Sequence, residues 1–163
     1  MSTSVGLSLS RIVPVATTFA ITMCHFDQLL IFSSLHSANN AVNRGARSIA
    51  PHVMRKYVQG ALPIIIVLEF TSYGTLGWNV YHRLPLWKWY AVGLLCFLSH
   101  LVNAPYSWSL ITTIMKGDEE TEKHEKKDFS AAFDRFLLMT KLRLVFTELP
   151  VLCIVLSGAL AGI

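Results

Sequence analysis

Four long apolar stretches constrain this chain more than any motif does. A bilayer core takes about 20 apolar residues as helix, and residues 12–35, 58–82, 89–115 and 136–163 all reach that length. The first holds one formal charge, Asp27, the second only Glu69, and the third none. The fourth opens with Lys141 and Arg143 and then carries only Glu148. None alternates apolar and polar residues as a barrel strand would. The pattern predicts an all-α, integral membrane four-helix bundle. Its helices are expected near residues 12–35, 58–82, 87–115 and 132–161, within one domain over 11–163 that follows a short tail at 1–10.

Composition agrees. Only 15% of the residues are charged, where a soluble domain carries about 25%. The formal net charge of +4 is too small to point to nucleic acid, and no nucleic-acid partner is expected. The stretch "MSTSVGLSLSR" places its arginine after a polar segment and before a long apolar run, which predicts a signal-anchor-like first span and not a cleaved leader. Cys24, Cys96 and Cys153 lie far apart inside apolar runs, with no CxxC spacing, and read as small apolar filler. Tryptophans at 78, 87 and 89 flank the short "RLPLWK" connection as an interfacial belt would.

Basic residues set the expected orientation. The first and third connections hold Arg44, Arg47, Arg55, Lys56 and Lys116, Lys123, Lys126, Lys127; the opposite side holds Arg11, Arg83 and Lys88. Eight against three places the first and third connections in the cytoplasm and both termini on the far side. The mixed-charge run at 116–128 reads as a solvated linker into the last helix. Which membrane is left open, the endoplasmic reticulum or another endomembrane among the choices.

The polar residues at depth carry the functional question. His25, Glu69, His100 and Glu148 fall near the middle of separate helices. A charge at the bilayer centre costs about 2.5–3.5 kcal/mol on insertion scales, so these groups are expected to face one another. Gly93, Cys96, His100, Asn103 and Ser107 follow steps of three and four and share one face of the third helix. Thr18, Thr22, His25 and Gln28 make a similar stripe on the first, and Thr140, Arg143 and Thr147 on the fourth. Glu148 is turned about 100° from Thr147, and Asp27 about 200° from His25. Bland readings stand beside each of these: helix–helix hydrogen bonds for the histidines, a neutral bonded Glu69, snorkelling for Lys141 and Arg143, kinks for Pro63, Pro105 and Pro150.

The stretches "NAPYSWSLITTIMKGDEE" and "FDRFLLMTKLRLVFTELPVL", within roughly residues 95–160, resemble the small four-helix membrane proteins of the anthrone oxygenase-like family. Pro105 and Ser107 match its proline and hydroxyl residue at the end of the third helix, and Arg143 its fourth-helix arginine; the tryptophan that usually precedes that arginine is absent. The resemblance implies a monooxygenase that turns a polyketide anthrone into an anthraquinone with O2 as co-substrate and no required cofactor, in secondary metabolite biosynthesis. It implies His100 or His25 as base and Arg143 with Asn103 as holders of the oxyanion. Glu69, Ser107 and Glu148 are the expected substrate-binding residues. The partners it implies are a hydrophobic small molecule and the bilayer, with oligomerisation open.

Two further classes remain. His25, His100, Glu69 and Glu148 are also the ligand stock of a metal or haem site, iron or haem being the alternative cofactor, although no ExxH pair is present. A non-enzymatic scaffold or small carrier would use Glu69 and Glu148 as relay groups. A glutathione-handling membrane enzyme ranks lowest, because "LHSANNAVNRGAR" lacks an arginine shortly before its histidine.

Overall fold

The computed structural model describes residues 2–36, 44–116 and 123–160, and side chains for 9–35, 49–116 and 129–160. Helix α1 is Ser2–His36, α2 Arg44–Tyr81 and α3 Trp87–Lys116; α4, Lys123–Arg143, runs through a π-helical turn, Leu144–Glu148, into α5, Leu149–Leu160. Among the described residues there is no strand. Four segments are long and apolar enough to cross a membrane: Leu9–Leu35, Ile49–Tyr81, Trp87–Lys116 and Phe129–Leu160. The protein is thus an all-α four-helix bundle, in which α1 packs on α2, α2 on α3, and the α4–α5 span on both α3 and α1. Its outer surface is apolar, with Val67 65% and Val102 81% exposed. Water would penalise such a surface, and acyl chains do not.

Three boundaries differ from the sequence expectation. Residues 2–10, expected as a tail, continue α1; α2 begins at Arg44 rather than near 58; and α4 begins at Lys123 rather than near 132, so that 123–128 of the expected linker are helical. The second extension has a packing cause. Ala50 and Met54, one turn apart, are fully buried against Phe32, Ile114 and Phe133. The connection-one basic residues Arg44 and Arg47, and Lys123, Lys126 and Lys127 of the third connection, lie outside the described side chains.

The core is layered. One apolar cluster sits toward the α1–α2 and α3–α4 connections, built on Phe32, Met54, Ile114, Phe133 and Phe136. Another sits toward the α2–α3 turn, built on Ile21, Leu76, Tyr90, Phe97 and Val155. Tyr90 packs so closely on Gly158 that a Cβ there would overlap its hydroxyl. The turn itself is a Schellman closure: Leu84 N–H bonds the Asn79 carbonyl and Arg83 N–H that of Val80, with Arg83 left-handed at φ 48°. Trp78 and Trp89 beside it are exposed, where belt residues belong. Cross-helix bonds fix the register. Ser72 and Thr17 hydroxyls meet at 2.8 Å, Asn79 Nδ2 donates to the Ser10 carbonyl at 2.8 Å, and Arg55 Nη2 donates to the Met115 carbonyl at the end of α3 at 2.7 Å.

Candidate functional site

Between the two apolar clusters lies a polar layer fed by all four spans. The stripe read on α1 faces inward in full: Thr18, Thr22, His25 and Gln28 are all buried. From α3, His100 is 5% exposed; Glu148 of the fourth span is fully buried. Glu69 on α2 and Arg143 at the end of α4 complete the group, their side chains 15% and 24% exposed. The expectation that acid and imidazole groups from separate spans meet describes this arrangement.

The π turn decides how Arg143 and Glu148 come together. Five residues apart on an α-helix, they would point about 140° apart. Pro150 has no N–H for the Phe146 carbonyl, and its ring crowds that oxygen. Here Leu149 N–H bonds the Leu144 carbonyl, a five-residue step, and Leu144, Thr147 and Glu148 all turn inward. Such bulges commonly mark functional sites.

Distances define the network. Arg143 Nη2 lies 3.2 Å from His25 Nε2, 3.3 Å from Glu69 Oε1 and 3.4 Å from His100 Nδ1. His100 Nδ1 is 3.1 Å from Glu69 Oε1. His25 Nδ1 stands 2.5 Å from Glu148 Oε1, a charge contact whose angles do not make a hydrogen bond. One proton assignment fits all but the 3.4 Å approach of Arg143 Nη2 to His100 Nδ1, where two donors meet. Arg143 Nη2 donates one hydrogen to His25 Nε2 and one to Glu69; His100 donates from Nδ1 to the same carboxylate; His25 turns its Nδ1–H toward Glu148. His25 then accepts at Nε2 from Arg143, while its Nδ1 keeps only the charge contact with Glu148. His100 Nε2 is left buried with no partner in the protein.

A cavity of about 490 Å³ adjoins the network. Glu69, His100, Arg143 and His25 line it, as do Gln28, Tyr57, Thr140 and Ser107. Tyr57 O–H donates to Gln28 Oε1 at 3.0 Å, giving the cavity a further polar patch. Most of the remaining wall is apolar, with Ile65, Ile66, Trp108, Ile111 and Phe136 among its members. Ile66 of α2 and Leu101, Ala104, Pro105 and Trp108 of α3 are exposed, so the cavity opens sideways between these two helices onto the apolar outer surface. Pro105 removes the N–H that would bond the Leu101 carbonyl, loosening α3 at the mouth.

The site therefore gathers His25, His100, Glu69 and Arg143 at the cavity, with Ser107 on the wall. Glu148 does not line the cavity; it reaches the site through His25. Asn103 stands apart, exposed, with Nδ2 donating to the Ser99 carbonyl at 2.9 Å. The cavity centres on the Leu101–Ala104–Trp108 side of α3, and Asn103 lies on the other flank of His100. Asp27 is exposed on the outer side of α1, and Lys141 is exposed too. No group of three or more His, Cys, Asp or Glu placed to hold a metal ion occurs among the described residues. The Arg143 guanidinium occupies the space between the four candidate metal ligands. Tyr57 is a wall residue that the helix bounds expected from the sequence leave outside α2. The steps Ala50, Met54, Tyr57 and Ala61 carry a helical signal that would have drawn Tyr57 into α2.

Compared with family models, curated proteins and solved structures, the chain matches none. Fold and site define it as a four-helix membrane bundle with a buried carboxylate–imidazole–guanidinium network beside a lipid-facing cavity.

Proposed function

We propose that the protein is a membrane-embedded oxygenase of flat, apolar aromatic substrates carrying an acidic C–H beside a carbonyl, an anthrone-like polyketide being the model compound. The observation that carries this reading is His100: its Nδ1 is anchored on Glu69, its Nε2 is buried with no partner in the protein, and the residue lines an apolar cavity. A carboxylate that fixes one imidazole nitrogen leaves the other as a positioned base. The lateral mouth suits a substrate that partitions into lipid, and the resemblance at 95–160 points the same way.

In this reading His100 takes the C–H proton, and Arg143, the one fixed cation among the described residues of the cavity wall, stabilises the anion that forms. The anion is electron-rich enough to reduce O2 itself. Carbon–oxygen bond formation and reprotonation give a hydroperoxide, which loses water to leave the quinone carbonyl. One O2 is consumed and one water released per anthrone. Glu69 is a positioning residue for His100, and Glu148 for His25. Asn103, outside the cavity, has no part in holding the anion.

The test is O2 uptake by detergent-purified protein with 1,8-dihydroxyanthrone, against the spontaneous rate. His100→Ala is expected to lower kcat by about 10²–10⁴-fold while the thermal midpoint stays close to that of the unaltered protein. Uptake no faster than the spontaneous rate, or a His100→Ala variant of full activity, removes the assignment.

A further inference from the structure

A second cavity, of about 340 Å³, reaches the same guanidinium from the other flank of α3. Ser99, Asn103 and Tyr106 of α3 face Arg143 and Thr147 of the fourth span across it. Arg143 lines both cavities, and each sets polar side chains among apolar ones, the second with Met139, Leu142 and Phe146 beside its five polar residues. We propose that this second cavity is a water inlet, through which the buried network is solvated and exchanges protons on the flank of α3 opposite the mouth of the large cavity.

Charge counting gives the first reason. Two carboxylates, Glu69 and Glu148, face the single guanidinium of Arg143, so the network balances its charge only by holding one further proton. A fixed charge excess deep in a bilayer is stable only with water or a further proton close by, and a proton that comes and goes needs water to carry it. A ligand filling the large cavity would shut that side off, leaving the second cavity as the other opening that reaches Arg143.

The walls give the second reason. Asn103 sits exposed at mid-span; its Nδ2 is spent on the Ser99 carbonyl, leaving its amide oxygen for water. Hydrocarbon would penalise that oxygen, and water would not. From Asn103 the face continues in steps of three and four through Tyr106, Ser109, Thr113 and Lys116, a polar track to the end of α3. On the same helix Val102, 81% exposed, belongs to the apolar outer surface and makes the natural reference position.

Thiol chemistry distinguishes the two environments, because only a thiolate reacts and a thiolate needs water. Cys24, Cys96 and Cys153 are replaced by alanine, and Asn103→Cys or Val102→Cys is introduced. The proteins are reconstituted in phosphatidylcholine vesicles and treated from both sides with a quaternary-ammonium methanethiosulfonate. Asn103→Cys is expected to react at least about tenfold faster than Val102→Cys, with both thiols titrating fully after denaturation. Ser99→Cys, deeper on the same wall, supplies a second reporter should Asn103→Cys fold poorly, and is expected to outpace Val102→Cys likewise. Reporter thiols no faster than Val102→Cys would show the cavity dry and overturn the proposal. This readout needs no turnover, so it stands or falls apart from the oxygenase reading.

Discussion

Arg143 is the residue on which the site turns. Its Nη2 reaches a histidine from each of two helices and a carboxylate from a third. It also holds the centre of the four groups that the sequence offered as metal ligands. Breaking a buried charge group by removing one partner costs about 3–5 kcal/mol, because the remaining charge is left uncompensated. Arg143→Met is therefore expected to lower the thermal midpoint of the detergent-purified protein clearly, since Glu69 and Glu148 lose their cation. Adding Glu69→Gln to Arg143→Met is expected to recover part of the loss. A single variant as stable as the unaltered protein would mean that the carboxylates do not depend on this guanidinium.

At the scale of elements, the π turn does what no single side chain does. It inserts one residue into the fourth span and so aligns Arg143 with Glu148, while Val151, Val155 and Gly158 keep their inward face. Removing the inserted residue restores an α-helix with a four-residue step between Arg143 and Glu148, still on one face. Deletion of Phe146, 69% exposed, is accordingly expected to leave a monodisperse bundle with a midpoint near that of the parent. Deletion of Cys153, also exposed, rotates Val155 and Gly158 by about 100° relative to Val151 and is expected to abolish the folded peak in size-exclusion chromatography. Equal tolerance of the two deletions would contradict the role given to the turn.

For the whole molecule, the expected orientation rests on basic residues near and beyond the ends of the spans. Eight on one side against three on the other lead us to expect the α2–α3 turn and both termini on the translocated side. An N-glycan acceptor appended through a long flexible linker to the carboxyl terminus is expected to be glycosylated in microsomes. The same acceptor inserted within residues 117–122 is expected to stay unmodified. The layered core gives this orientation its meaning, because the polar layer is held near mid-span by an apolar cluster on either side.

Several features were legible from residue order alone. Twenty-odd apolar residues in a row admit few structures other than a membrane helix, and the stripe of Thr18, Thr22, His25 and Gln28 follows from the helical period with no partner needed. The depth of His25, Glu69, His100 and Glu148 follows from rise per residue. What the period cannot supply is the rotation of one helix against another. Asn103 shares a stripe with His100, yet packing turns the cavity to the other flank. An unbroken α-helix would turn Glu148 about 140° from Arg143; the bulge before Pro150 shifts the phase. Local spacing determined which residues lie at the same level; the contacts between helices decided which of them touch, because azimuth is set by side-chain packing that no single helix encodes.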